Sequence, residues 1–235
     1  MNPSVTKPTP TRREGSNLTL AVPRGALFER TLDALDAIGL DTAEPRGSSR
    51  SLFFRLDGLT LVTMRPSDVP TYVEAGAADL GVTGKDVLME QSDRVVYELV
   101  DLKYGRCRMV VAARVGDHSL EESARRLGAV RVATKYSRIA ERHFESTGRQ
   151  AEVIEVKGSV ELAPLTGLAD GIVDLVDTGR TLADNGLEER EQIAECTARL
   201  VANRVVHKLR AAEIDDLVAR FRRAVDVNAG QGDWR

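Results

Sequence analysis

One stretch constrains this chain more than any other: residues 172–182, Ile-Val-Asp-Leu-Val-Asp-Thr-Gly-Arg-Thr-Leu. It reads as an apolar strand that runs into carboxylates and then into a Thr-Gly-x-Thr turn at the mouth of a helix. A strand that hands directly into a helix is the building unit of an α/β protein. Successive backbone N–H groups in such a turn, at the positive end of a helix dipole, form a cradle for phosphate. Thr178 and Thr181 add hydroxyl donors, Arg180 lies between them, and Gly179 lets the backbone approach an anion with no Cβ in the way. Asp174 and Asp177 are suited to accept hydrogen bonds from sugar hydroxyls or to hold Mg2+ through water. Phosphate beside sugar hydroxyls points to a ribose phosphate. An ordinary strand–helix turn has the same Thr-Gly-x-Thr form, but it does not need the acid pair.

The chain has 235 residues, enough for one large or two small domains with a sizeable core. A net charge of −3 and an aromatic content of 4% argue against a nucleic-acid binder, which would need basic excess or stacking rings. Cys107 and Cys196 lie far apart without metal-ligand spacing, and His118, His143 and His207 are scattered. The expectation is two free thiols and no transition metal held by protein side chains. Residues 1–16 are rich in Pro, Thr, Ser and Arg and contain no apolar run, so they are expected to form a flexible tail and not a signal peptide. No stretch is apolar enough for a membrane span. A cytoplasmic protein is expected.

Strand and helix patterns alternate along the chain. Strands are expected at 18–22, 51–56, 59–64, 79–83, 108–113, 131–134, 153–156 and 172–176, with strand character continuing over 193–206. The Asp57-Gly58 pair marks a hairpin between the second and third of these. Helices are expected near 27–38, 66–76, 85–90, 139–147 and 214–225. The Glu121-Glu122 and Arg125-Arg126 pairs suggest one more, solvated helix face. There is also an internal echo: Gly76-Ala-Ala-Asp79 and Gly167-Leu-Ala-Asp170 each lead through a buried strand to a Gly turn and a helix. Two related lobes facing a cleft, with ligand between strand ends, would explain it.

These motifs together resemble the ATP phosphoribosyltransferase family in its short form. The pieces that carry the resemblance run in order from about residue 18 to 204. They are Ala21-Val-Pro-Arg-Gly-Ala-Leu27, Arg65-Pro-Ser-Asp-Val-Pro-Thr-Tyr-Val73, Gly81-Val-Thr-Gly-Lys-Asp-Val87, Arg131-Val-Ala-Thr-Lys-Tyr136, Gly158-Ser-Val-Glu-Leu-Ala-Pro164 and the 167–186 segment. The resemblance implies an α/β fold of two lobes around a cleft, like type II periplasmic binding proteins. Lobe I would comprise 17–104 with 192–235, and lobe II 105–191. It implies transfer of the phosphoribosyl group of phosphoribosyl pyrophosphate (PRPP) to N1 of the adenine of ATP, with Mg2+ present. It implies as well a histidyl-tRNA-synthetase-like regulatory subunit, and a homodimer within a hetero-oligomer.

Residue roles carry over by position. Thr178, Gly179, Arg180 and Thr181 would hold the 5-phosphate of PRPP, with Asp174, Asp177 and Glu161 near the ribose. Arg24, Gly25 and Arg50 would lie near the pyrophosphate, and Gly84, Asp86 and Val87 would contact ATP. Many members read Lys-Gly-Arg where this chain has Arg24-Gly25-Ala26, so more of the leaving-group charge falls to Arg24, Arg50 and Mg2+. Adenine N1 already carries a lone pair, so its attack needs no strong general base. The absence of a recognisable nucleophile–base constellation fits that chemistry. Two other functions suit parts of the pattern: a different phosphoribosyltransferase, or a non-catalytic two-lobed binding protein.

Overall fold

The computed structural model describes residues 17–47 and 51–229. Arg50 and the tail expected at 1–16 lie outside them. The first lobe begins with β1 (Leu18–Pro23), α1 (Phe28–Ala37), α2 (Ala43–Gly47), β2 (Phe53–Leu56) and β3 (Leu59–Met64). It continues through a short 3-10 turn into α3 (Val69–Glu74), then β4 (Leu80–Gly84), α4 (Lys85–Glu90) and β5 (Val96–Asp101). The second lobe contains β6 (Cys107–Arg114), α5 (Ser119–Leu127), β7 (Ala129–Thr134), α6 (Ser137–Ser146) and β8 (Gln150–Glu155). After these come α7 (Leu162–Leu165), β9 (Gly171–Val176), α8 (Arg180–Asp184) and β10 (Leu187–Cys196). The chain then returns to the first lobe as β11 (Ala198–Asn203), α9 (Arg204–Leu209) and α10 (Ala211–Ala229).

Each lobe is built on one mixed sheet. The first runs β2-β3-β1-β4-β11-β5 and the second β10-β6-β9-β7-β8. In the first, β1 pairs in parallel with β3 and β4, and β4 is followed by antiparallel β11. In the second, β7 pairs in parallel with β8 and β9, and β9 is followed by antiparallel β6. The same plan therefore occurs twice. The repeated Gly-x-Ala-Asp segments occupy equivalent corners of it. Asp79, fully buried before β4, accepts the backbone N–H of Thr19 at 2.7 Å, and Asp170 before β9 accepts that of Arg131 at 2.8 Å. In each case a buried carboxylate satisfies a backbone donor at the start of the neighbouring strand, which a buried amide requires.

Burial follows the pattern of the strands. Leu20, Leu61, Leu80 and Leu200 pack with Phe221 of α10 in the core of the first lobe. On the opposite face of that sheet, Val69 and Val73 of α3 lie against Ala21 and Val201. A Cβ on Gly81 would sit 2.5 Å from a methyl of Val69, so α3 packs directly on the bare backbone of β4. The second sheet carries separate clusters, one around Ile139 and Phe144 of α6 and one around Ile172 and Leu182.

The expected strand over 193–206 is three things in the structure: the end of β10, the whole of β11, and the first turn of α9. The lobes exchange the chain at Thr197, between Cys196 in the second sheet and Ala198 in the first; the sequence had suggested 192. Asn203 then ends β11 by accepting the N–H groups of Val205 and Val206, both at 2.9 Å. Strand β5 and the first half of β10, with its Glu-Glu-Arg-Glu run, were not expected as strands. Both are edge strands, held by ladder hydrogen bonds to β11 and β6 and needing little apolar burial.

Candidate active site

The chain crosses between lobes twice, at 102–106 and at Thr197, and the two crossings are bonded together. Leu102 donates its N–H to Ala198 O at 2.9 Å, and Ala198 donates to Tyr104 O at 2.9 Å. Tyr104 is fully buried with its hydroxyl 3.0 Å from that of Thr31. Gly105 has φ +64°, and a Cβ there would lie 2.3 Å from Leu27 Cδ2, so only glycine passes this point. Beside the crossings lies a cleft of about 1250 Å3 lined from both lobes. Its cations are Arg24, Arg30, Lys103, Arg106 and Arg108, and its acids include Asp86, Asp177 and Glu195.

The expected site residues fall into two groups. From the first lobe, Arg24, Gly84, Asp86 and Val87 line the cleft. Arg24 is fixed at the end of β1, where its Nε donates to Thr63 Oγ1 at 3.0 Å and its guanidinium to Ser51 O at 2.5 Å. Gly25 follows with φ +91°, which turns the chain out of the sheet. Gly84 ends β4 and caps α4. A Cβ on Gly84 would lie 2.0 Å from Asp86 Oδ1, so the glycine makes room for the carboxylate to fold back. Burial pushes the Asp86 carboxyl above the usual range, opposed by hydrogen bonds from the Val87 backbone and the Tyr136 hydroxyl.

From the second lobe, Asp177 lines the cleft and the Thr178–Thr181 turn lies exposed at the end of β9. Gly179 takes φ +79°, and Thr178 Oγ1 accepts the Arg180 N–H at 3.4 Å. Helix α8 has only five residues and so contributes little dipole, and the turn presents mainly backbone N–H groups and hydroxyls. Asp174 lies within β9, three residues before Asp177, with its Oδ1 3.6 Å from Lys135 Nζ. Burial raises its carboxyl, Lys135 lowers it, and the charge of Glu161 raises it further, which places Glu161 near it.

Lys135 and Tyr136 stand in the 131–136 motif but received no site role from the sequence, and neither did Arg30, Lys103, Arg106 and Arg108. The loop after β7 presents the first two. Buried Thr134 donates to Val173 O at 2.6 Å and accepts the Tyr136 N–H at 2.8 Å, which sets their direction. Tyr136 then donates across the cleft to Asp86 Oδ2 at 3.3 Å, joining the two groups. The signal for Lys103, Arg106 and Arg108 was the Lys-Tyr-Gly-Arg-Cys-Arg run at 103–108, three cations within six residues; Arg30, in α1, had no such signal. Beyond Asp86, α4 and α6 also meet: Glu90 accepts the backbone N–H groups of Arg138 and Ile139 at 3.1 and 3.0 Å, and Arg138 pairs with Asp93 at 2.6 Å.

The family model HisG, ATP phosphoribosyltransferase, matches residues 65–223. The chain belongs to the ATP phosphoribosyltransferase family. An ATP phosphoribosyltransferase of Rubrobacter xylanophilus is 55% identical over 203 residues, covering 86% of this chain and 94% of that protein. The Bacillus licheniformis member is 44% identical over 209 residues, covering 88% and 95%. The HisG:HisZ ATP phosphoribosyl transferase complex of Thermotoga maritima contains a chain that superposes with a TM-score of 0.76. That chain is 33% identical, and the match covers 90% of this chain and 98% of that one. The periplasmic aliphatic sulphonate binding protein SsuA of Escherichia coli superposes with a TM-score of 0.59 at 15% identity, covering 92% and 75%. That last likeness concerns the fold alone: two α/β lobes of the periplasmic-binding-protein kind. Among the described residues no helix is long and apolar enough to cross a membrane.

Proposed function

We propose that the cleft joins ATP to PRPP with the two substrates held on opposite lobes. Family membership carries the reaction itself: transfer of the phosphoribosyl group to N1 of the adenine of ATP, the first step of histidine biosynthesis. The N1 lone pair forms a bond to C1 of the ribose while the C1–O bond breaks and pyrophosphate leaves. The residues contribute orientation and charge, which suffice for a reaction with an oxocarbenium-like sugar and an anionic leaving group.

In this reading the adenosine of ATP lies against Gly84, Asp86 and Val87. The 5-phosphate of PRPP lies in the Thr178–Thr181 turn, with Gly179 and Arg180 between. Asp174, Asp177 and Glu161 face the ribose. The pyrophosphate faces Arg24 and the cations at 103–108, with Gly25 giving close backbone approach and Arg50 added from outside the described residues. The observation that supports this most is the Tyr136–Asp86 hydrogen bond, which brings the two proposed subsites together across one cleft.

The donors also suit Mg2+ carried by PRPP. Asp174 and Glu161 offer hard carboxylate oxygens of the kind that Mg2+ takes. When bound, Mg2+ would act as a Lewis acid on the departing pyrophosphate. The Thermotoga maritima structure is a HisG:HisZ complex. We infer a histidyl-tRNA-synthetase-like regulatory subunit for this chain too, binding a homodimer of it within a hetero-oligomer.

Calorimetric titration of the purified chain with PRPP and Mg2+ tests the site. Saturable binding that is lost in a Thr178→Ala, Thr181→Ala double variant is the expected result. Unchanged affinity in that variant would remove the turn from the PRPP site.

A further inference from the structure

Cys107 opens β6 and Cys196 closes β10, and the two are directly opposite each other in the antiparallel register. Antiparallel partners have Cα atoms about 4.5–5.5 Å apart, within the roughly 4.4–6.8 Å that a disulfide spans. Directly opposed residues of antiparallel strands carry their side chains on the same face, so the two thiols are cross-strand neighbours. Their accessibilities differ: Cys107 is half-buried, whereas Cys196 is 1% exposed. Both line the cleft, one residue from each point where the chain crosses between lobes.

We propose that Cys107 and Cys196 are a redox pair that closes to a disulfide across β6 and β10, with Cys107 attacking first. The Cys107 thiolate attacks one sulfur of a small disulfide of the glutathione class, whose S–S bond breaks and releases one thiol. Cys196 gives up its proton to solvent and attacks Cys107 Sγ, which displaces the second thiol. Two cysteine thiols are oxidised and one small disulfide is reduced to two thiols. Interaction with the Cys196 thiol favours the Cys107 thiolate, and burial and the nearby Asp86 and Asp177 oppose it. The thiolate is the attacking species in such exchange. The same interaction and burial hold the Cys196 thiol protonated until its partner has reacted.

The bridge would tie together the two strands from which both crossings emerge. It would restrict the segment in which the lobes must flex, between the cleft residues Arg106, Arg108, Glu195 and Thr197. Its effect on PRPP binding rests on the function proposed above; its formation does not.

The test treats the purified full chain with oxidised glutathione, followed by intact mass and a non-reducing peptide map. The expected product has lost two hydrogens, carries a Cys107–Cys196 linked peptide and reverts with dithiothreitol. A wild-type chain with no linked peptide, or with glutathione retained on both cysteines, would overturn the proposal without recourse to any variant. Cys196→Ser should retain one glutathione on Cys107, and Cys107→Ser should take up none. Equal uptake by the two would overturn the order of attack. PRPP binding should weaken about tenfold in the oxidised chain, a usual size for coupling between sites. A bridged chain that binds PRPP as well as the reduced one would overturn the control of the cleft and leave the redox pair standing.

Discussion

Gly84→Ala separates the fold from the site more cleanly than removal of any polar side chain. The backbone at Gly84 has φ −75° and ψ 150°, which any residue adopts, so alanine brings no torsional strain. Its Cβ would meet Asp86 Oδ1 at 2.0 Å and Cγ at 3.2 Å, but no backbone atom. The carboxylate must therefore rotate away, while β4 and α4 stay in place. It loses the hydrogen bonds from Val87 and Tyr136, but it also leaves a position where burial disfavours its charge. These effects oppose each other, and the stability change should stay within about 1 kcal/mol. ATP has no such compensation. Loss of hydrogen bonding to a charged group is worth about 1.5–3 kcal/mol, or roughly ten- to hundredfold in Kd. Titrations with ATP and PRPP on Gly84→Ala, beside Asp86→Ala, provide the assay. ATP affinity should fall similarly in both variants, with PRPP affinity and Tm nearly unchanged. Wild-type ATP affinity in Gly84→Ala, with affinity lost in Asp86→Ala, would refute the placement of Asp86. An equal loss of PRPP affinity would show that the alanine acts on lobe closure instead.

Burial raises the Asp174 carboxyl above its unfolded value of 3.8, so the folded state binds its proton more tightly. The stabilisation is complete below 3.8 and disappears as pH rises through the folded value; at neutral pH the buried charge is a net cost. Asp174→Asn should therefore raise Tm near pH 7 and lose that advantage near about pH 4, while turnover falls; a lower Tm at neutral pH would mean that Lys135 outweighs burial. Glu90→Ala removes the carboxylate that accepts two N–H groups at the start of α6 from the other lobe. It should destabilise by about 1 kcal/mol and increase the radius of gyration in solution scattering, and an unchanged radius would show that other contacts hold the lobes. Asn203→Ala removes two accepted bonds at the start of α9 and two donated to Val73 and Glu74 O. The expected loss is about 2–3 kcal/mol, several degrees in Tm, with PRPP affinity unchanged.

Legibility from the sequence divided along a physical line. The segment leading to the Thr178–Thr181 turn, the Asp57-Gly58 hairpin and the helix stripes were visible because each depends on neighbours within a few residues. The repeated Gly-x-Ala-Asp segments were visible for the same reason, and the structure adds that both aspartates hold the start of an adjacent strand. The Leu187–Cys196 strand was hidden in part because its Glu-Glu-Arg-Glu run has the look of a solvated loop. The break at Thr197 was hidden because apolar residues continue through it. Asn203, a helix-capping residue ahead of Val-Val, was the signal that would have stopped that strand.

By itself, then, the sequence carried the two-lobed α/β plan and the family, and it put forward the residues proposed here for phosphate and sugar. Local periodicity and turn chemistry are written residue by residue. Only the tertiary structure decided which of these groups meet. Tyr136 reaches Asp86 across 50 residues, Lys135 comes to face Asp174, and Cys107 finds Cys196 because β10 folds back beside β6. Those meetings follow from strand order and register. Both are fixed by how whole sheets bury their faces, and a strand's own residues do not name its neighbour.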